Sequence, residues 1–234
     1  DLEMPTPGLD STRQIVKAVQ EGKLAEEAVD ACVDRLLEAV LILTGNSADR
    51  GQSAEDKSGQ RAKDFDQEAH HALARRTAAQ SAVLLKNREN ILPLKPGTHV
   101  ALIGDFAFEP RYQGAGSSMV NATKLDKMID LIHEYDLVLD GASKGYLRSG
   151  ETDTVLEKEA VDLAASVDVV IYCFGLDELS ESEGIDRTHM RIPQNQISLL
   201  ESISRVNENV VGILSAGAAV EMPWHHCLKG LLHG

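Results

Sequence analysis

The residues best suited to chemistry lie in one short segment, Gly175–Arg187, which is crowded with acidic side chains. Its carboxylates are Asp177, Glu178, Glu181, Glu183 and Asp186. They follow the apolar run Val169–Phe174, which has the composition of a buried strand. Like charges in one loop repel one another, which raises the pKa of at least one carboxyl group toward the range of a proton donor. On charge alone the segment favours a solvated acidic loop, and general acid/base chemistry is the alternative that the surrounding residues bring forward.

Strands and helices alternate through most of the chain and must position this loop. The spacing of apolar residues predicts helices over residues 10–44, 67–80, 124–135, 154–166 and 193–206. Short apolar runs predict strands over residues 82–86, 99–104, 137–140, 169–174 and 209–214. Continuous apolar strands separated by helices indicate a mostly parallel sheet with helices on both faces. The sequence therefore predicts an α/β fold.

Three predicted loops follow strands and meet at the carboxyl edge of such a sheet, where ligands bind. They cover residues 104–121, 175–191 and 215–224. The first contains Tyr112-Gln-Gly-Ala-Gly-Ser-Ser118, whose glycines permit close approach to a ligand or a neighbouring segment. This motif does not open a helix, and clustered carboxylates repel phosphates, so both features disfavour a nucleotide site. In the third loop, Trp224 suits either the core or the wall of a sugar site.

The composition limits the classes of partner. A net charge of -14 over 234 residues argues against nucleic acid and anionic membranes, and no apolar run is long enough to span a membrane. Cys32, Cys173 and Cys227 lack the spacing of zinc ligands, so we expect reduced thiols, no metal and no cofactor. Reduced thiols favour a cytoplasmic location. The sequence has no initiator Met and stops within a predicted element, so we expect a fragment of a longer protein.

A series of short motifs runs in order along nearly the whole chain. They are Asp1-Leu-Glu-Met-Pro5, His71-x-Leu-Ala-Arg75, Ser81-Ala-Val-Leu-Leu-Lys-Asn87, Leu92-Pro-Leu94, Tyr112-Gln-Gly-Ala-Gly-Ser-Ser118, Glu183-Gly-Ile-Asp-Arg187, Met190-Arg-Ile-Pro-Gln-Asn-Gln196 and Val220-Glu-Met-Pro-Trp224. Each motif is modest alone, but the series in register is specific. It resembles glycoside hydrolase family 3, the β-glucosidase and β-xylosidase type.

The resemblance implies a (β/α)₈ barrel followed by an (α/β)₆ sandwich domain. Residues 1–44 then correspond to the last strand and helices of the barrel, and the polar residues 45–65 to an interdomain linker. Residues 66–234 correspond to the sandwich domain, truncated on its C-terminal side. The expected fold class is therefore α/β, an incomplete sandwich preceded by the end of a barrel.

The resemblance also implies a retaining glycosidase with two carboxylates, in which one attacks the anomeric carbon and the other acts as acid and then base. Glu183, in the Glu-Gly-x-Asp-Arg pattern, corresponds to the acid/base residue. Supporting or substrate-lining roles fall to Glu181, Asp186, Arg187 and Ser117. Arg187 is expected to fix the loop by hydrogen bonds to a carboxylate. Glu178 and Glu181 remain alternative proton donors.

One part of the family pattern is absent. The nucleophilic Asp belongs to a Ser-Asp-Trp type of motif, which does not occur in this sequence, and neither Asp1 nor Glu3 matches it. We therefore expect part of a retaining, exo-acting β-glycosidase that is inactive alone. Its expected partners are a small β-glucoside or β-xyloside and either the barrel segment or a second copy of the chain. The alternative function is a non-catalytic α/β domain that binds a carbohydrate or a partner.

Overall fold

The computed structural model describes residues 2, 8–48, 66–117 and 119–234. The chain separates into two compact units, Asp1–Asp66 and Gln67–Gly234. The barrel strand predicted at the start of the chain lies outside the described residues apart from Leu2. Residues 49–65 of the predicted linker also lie outside them.

The described part of the first unit consists of two helices, α1 (Leu9–Gln20) and α2 (Glu26–Ala48). Gly22, with φ at 68°, follows the end of α1 in the left-handed conformation, which costs glycine little. The second helix continues to Ala48, so it extends beyond residue 44, where the sequence predicts its end. None of the helices in the described ranges combines the length and the apolar character needed to cross a membrane.

The second unit is built on one sheet. Its strands in chain order are β1 (Val83–Asn87), β2 (His99–Ile103), β3 (Val138–Ser143), β4 (Val169–Gly175), β5 (Val210–Ser215) and β6 (Gly230–His233). Within the described residues the spatial order is β1-β6-β5-β4-β2-β3. Every adjacent pair is parallel except β1 and β6. The predicted α/β fold with a mostly parallel sheet is confirmed.

Helices accompany the strands of the second unit. They are α3 (Gln67–Ser81), which has no buried residue, and α4 (Met128–Leu131), α5 (Thr154–Ala164) and α6 (Gln194–Val206), which cover two cores. Alternate residues of β4 enter opposite cores: Tyr172 packs with buried residues of α5 and α6, whereas Ile171 packs on the side of α4. The whole of β4 is buried, which explains why its sequence is continuously apolar. Each large side chain buried in this way contributes about 1.5–3 kcal/mol.

Two local predictions were wrong. The helix predicted over residues 124–135 is only one turn, Met128–Leu131, followed by the 3₁₀ turn Ile132–Glu134. Residues before it are drawn into tertiary contacts, since the Asp126 carboxylate meets His71 Nε2 of α3 at 3.1 Å. Such contacts override weak helix propensity. In addition, β3 extends to Ser143 instead of residue 140, because pairing with β2 continues that far.

The strand ends approach one another closely at the carboxyl edge of the sheet. Gly104, just after β2, has φ at 120°, and a Cβ there would lie 1.9 Å from the carbonyl oxygen of Cys173 in β4. Gly175, at the end of β4, has φ at 148°, and a Cβ there would lie 2.0 Å from the carbonyl oxygen of Ser215. Both positions require glycine. As a result, the loops after β2, β4 and β5 leave the sheet side by side.

Candidate active site

A buried carboxylate joins these three loops. Glu181, in the loop after β4, accepts a hydrogen bond from the guanidinium of Arg111 in the loop after β2. Its Oε2 also accepts the backbone N–H of Gly217, in the loop after β5, at 2.8 Å. Arg111 further donates to the carbonyl of Leu176 at 3.3 Å. One side chain therefore fixes the relative positions of the three loops.

Burial and charge act in opposite directions on Glu181. Its side chain is only 8% exposed, and that of Arg111 only 12%. Burial by itself raises the pKa of Glu181, but the hydrogen bonds from Gly217 and Arg111 and the charge of Arg111 outweigh it. The pKa of Glu181 is therefore held below its usual value. The carboxyl group stays ionised near neutral pH, whereas a proton donor needs a raised pKa.

Arg187 lies against the same carboxylate from within the acidic loop. Its Nη1 is 3.8 Å from Glu181 Oε1 and donates to the carbonyl of Ala219 at 3.3 Å. The side chain of Arg187 is 16% exposed. Among the described residues, neither Glu181 Oε1 nor Arg187 Nη2 has a hydrogen-bond partner. Arg187 therefore lies close to the Glu181 carboxylate without a hydrogen bond to it, and the expected hydrogen bonds of Arg187 to a carboxylate stay a prediction.

Glu183, two residues after Glu181, is exposed and lies beside the glycine-rich loop. The hydroxyl of Ser117 donates a hydrogen bond to Glu183 Oε2. Gly116, with φ at 88°, makes this approach possible, since a Cβ there would lie 3.3 Å from the Cβ of Glu183. The structure therefore brings Ser117 and Glu183 together, although 66 residues separate them in the chain. A carboxyl group with one ordered oxygen and access to solvent is suited to exchange protons with a bound molecule.

The remaining acidic residues of the loop have different surroundings. Glu178 Oε2 lies 3.5 Å from Arg148 Nη1, and Arg148 also binds the buried carboxylate of Asp105 after β2. Asp177 accepts the backbone N–H of Ser180 at 2.7 Å, within its own turn. Asp186 is exposed at the wall of an open cleft. Two of the five carboxylates are therefore paired with arginines from other parts of the fold.

The open cleft has a volume of about 930 Å³ and lies between the loops after β4 and β5. Its walls include Glu181, Asp186, Arg187, His189, Met190 and Glu221. Glu183 and Ser117 are not part of these walls. His189 Nδ1 accepts the backbone N–H of Arg191 at 3.3 Å, which fixes its ring within the loop. In the ranges that the structure describes, no group of three or more His, Cys, Asp or Glu residues is placed to hold a metal ion.

Trp224 belongs to the core. Its side chain is 2% exposed, and its ring packs edge-on against that of Phe174 with centroids 4.9 Å apart. The alternative of a sugar-site wall does not hold for this residue.

Arg111 was missed by the sequence analysis. It directly precedes the glycine-rich motif and is the single cation among residues 104–121, in the loop after β2. Because the neighbouring loop is acidic, charge complementarity could have pointed to this residue as a partner. Arg148 was also missed, because its partners Asp105 and Glu178 come from two other segments of the chain. Both arginines are needed to describe how the acidic loop is held.

A mostly parallel α/β sheet that holds an exposed carboxyl group at its carboxyl edge is suited to supplying an acid/base group to a hydrolase. Residues 82–234 match the model of the glycosyl hydrolase family 3 C-terminal domain. The chain belongs to glycoside hydrolase family 3.

Relatives with assigned names support this membership. The chain is 42% identical to the thermostable beta-glucosidase B of Acetivibrio thermocellus, with 99% of this chain and 30% of that protein covered. It is 36% identical to the exo-alpha-(1->6)-L-arabinopyranosidase of Bifidobacterium breve, again with 99% and 30% covered. The chain thus spans 30% of the length of these relatives.

Solved structures show the same fold. The glycoside hydrolase family 3 beta-glucosidase of Bifidobacterium adolescentis matches with a TM-score of 0.70 at 35% identity, over 97% of this chain and 32% of that chain. The beta-glucosidase of Listeria innocua in complex with gluconolactone matches with a TM-score of 0.73 over 93% of this chain and 29% of that chain. At 23% identity, the second match shows the fold alone.

Proposed function

We propose that this chain supplies Glu183 as the general acid/base residue of a retaining, exo-acting β-glycosidase. The observation that carries the proposal is the contact between Ser117 and Glu183 at the carboxyl edge of the sheet. It leaves the carboxyl group exposed but ordered, as proton transfer to a bound substrate requires. The names of the relatives, beta-glucosidase B above all, favour a β-glucoside as substrate.

Two steps define the role of Glu183. In the first, a nucleophilic carboxylate attacks the anomeric carbon, the glycosidic C–O bond breaks, and the proton of Glu183 passes to the leaving oxygen. In the second, the Glu183 carboxylate removes a proton from water, which attacks the anomeric carbon and releases the nucleophile. The Ser117 hydroxyl donates to Glu183 when the carboxyl group is ionised and can rotate to accept when it is protonated.

The nucleophile of the proposed reaction is not supplied by these 234 residues, since they contain no Ser-Asp-Trp motif. Removal of one member of a cooperating catalytic set costs several orders of magnitude in rate. The chain by itself is therefore proposed to be inactive. Purified chain that released nitrophenol from a para-nitrophenyl β-glucoside above the background rate would contradict this part of the proposal.

The role of Glu183 is tested in the full-length protein that carries this chain. Glu183→Ala should reduce kcat on cellobiose, whose leaving group needs protonation, by about 10²–10⁴-fold. The loss of kcat/KM on a dinitrophenyl β-glucoside should be much smaller, because kcat/KM reports the first step and that leaving group departs without a proton. Added azide should restore turnover of the dinitrophenyl substrate by the variant, since it attacks the covalent intermediate without a base, and should give a β-glycosyl azide with retained configuration.

The matched control is Asp162→Asn, which removes an exposed carboxylate of α5. It should leave both substrates unaffected. Unchanged turnover of cellobiose by Glu183→Ala would overturn the assignment of Glu183. If calorimetry then still showed glucose binding, the non-catalytic carbohydrate-binding function would replace the proposed one.

A further inference from the structure

We propose that Glu181 and Arg111 form a positioning pair. The pair sets the location of Glu183 relative to the substrate and does not itself contact the substrate. The inference rests on the proposed function and deepens it. It assigns a role to the most buried carboxylate of the acidic loop and to an arginine outside that loop.

The loops after β2 and β4 are joined twice, at neighbouring positions. Arg111 and Ser117 both lie in the loop after β2, and their partners Glu181 and Glu183 are two residues apart in the loop after β4. The outer contact, made by Ser117, is exposed to solvent. A single exposed hydrogen bond holds a loop weakly, so the buried inner contact must provide most of the restraint.

Glu181 is enclosed tightly by the neighbouring loops. A Cβ on Gly217 would lie 3.3 Å both from Arg111 Nη2 and from Glu181 Oε2, so the loop after β5 also closes tightly over the pair. With the N–H of Gly217 bound to the same oxygen, the carboxylate cannot move without disturbing three loops. A displacement of about 1 Å at a catalytic group can cost about 100-fold in rate.

The Arg111–Glu181 pair differs in burial and position from the other ion pair of the acidic loop. Glu178 lies 3.5 Å from Arg148 and is 41% exposed, whereas Glu181 is 8% exposed. Glu178 also lies within the turn that Asp177 closes with Ser180, on the strand side of the loop. Of the two pairs, only the pair of Glu181 is both buried and within two residues of Glu183 in the chain.

The test compares two leaving groups in the full-length protein that carries this chain. Glu181→Gln keeps the shape and an acceptor for Gly217 but removes the charge. We expect kcat/KM on cellobiose to fall by about 100-fold and kcat/KM on a dinitrophenyl β-glucoside by less than about tenfold, because the first step needs a well-placed proton only for cellobiose. The basic limb of the pH profile of kcat/KM on cellobiose should shift as well.

Arg111 offers a graded version of the same test. Arg111→Met should behave like Glu181→Gln. Arg111→Lys keeps the charge but loses the planar fork of the guanidinium, and its rate on cellobiose should be about tenfold higher than that of Arg111→Met. Rates are expressed per active site, counted by stoichiometric trapping with a deoxyfluoro glucoside. This correction removes losses that arise from poor folding. Asp162→Asn again serves as the matched carboxylate control.

The outcomes distinguish the two proposals. If Glu183→Ala is strongly impaired but Glu181→Gln matches the wild type on both substrates, the positioning pair is wrong and the proposed function stands. Equal losses of Glu181→Gln on both substrates with an unchanged pH profile would show a merely structural role and also overturn the inference. If Glu183→Ala is unimpaired on cellobiose, the proposed function itself fails.

Discussion

The carboxylate of Glu181 lies against the guanidinium of Arg111, which is 70 residues earlier in the chain and on the loop of a neighbouring strand. The acidic loop is therefore not simply a set of repelling charges. Its most buried carboxylate is neutralised by a cation from outside, and its pKa moves down instead of up. The sequence predicts a raised pKa for at least one member of the loop, and for Glu181 the direction is the opposite.

The Arg111–Glu181 pair should contribute to stability as well as to positioning. Arg111→Met leaves the buried Glu181 without its main cation, and removal of one partner of a buried pair costs about 3 kcal/mol or more of unfolding free energy. Denaturant unfolding of the 234-residue chain measures this loss. Lys158→Met, which breaks the exposed pair with Asp162 on α5, should cost less than about 0.5 kcal/mol. Equal losses in the two variants would contradict the burial argument.

Gly116→Ala should reduce activity more than its backbone strain explains. The residue has φ at 88°, and a new Cβ would lie 3.3 Å from the Cβ of Glu183, so the Glu183 side chain must shift. Gly150→Ala is the matched control, because Gly150 has φ at 83° with no atom within 4 Å of a new Cβ. Both should lose about 1 kcal/mol of stability. Only Gly116→Ala should lower kcat on cellobiose in the full-length protein, and equal kcat in the two variants would argue against the contact.

His99 should make the stability of the second unit depend on pH. Its Nδ1 lies 2.9 Å from both carboxylate oxygens of Asp140, and this hydrogen bond, with the charges of Asp140 and Asp168, raises the pKa of His99 in the folded state. The stabilisation is therefore fully present below the unfolded pKa of about 6.5 and is lost as pH rises through the higher folded value. Urea unfolding at a series of pH values should show this loss in the wild type. His99→Gln should remove that part of the pH dependence, and an unchanged profile would speak against the pair.

Cys173 should be unreactive in the folded chain. It is buried in β4, and burial raises the pKa of its thiol to about 12, so almost none is thiolate at pH 8. Iodoacetamide at that pH should label Cys32, which is partly exposed, well before Cys173. Mass spectrometry of tryptic peptides measures the order, and denatured chain serves as the control in which all three thiols react. Early labelling of Cys173 would contradict the burial of β4.

Local patterns predicted most of the strands well. The run Val169–Phe174 is apolar at every position, which is typical of a strand covered on both faces, and it forms β4. The segment 124–127 failed because its conformation depends on contacts of Asp126 with α3, which a local pattern does not contain. The motif series led to the family because residue types at fixed spacing are visible without a structure.

The sequence by itself determined the mostly parallel sheet, the three loops at its carboxyl edge and Glu183 as the candidate acid/base residue. Only the tertiary structure decided which carboxylates are paired, because the cations that meet them, Arg111 and Arg148, come from distant segments. Their meeting depends on the spatial order of the strands, in which β4 lies between β5 and β2. That order is set by the packing of the whole sheet, and no residue spacing within one segment encodes it.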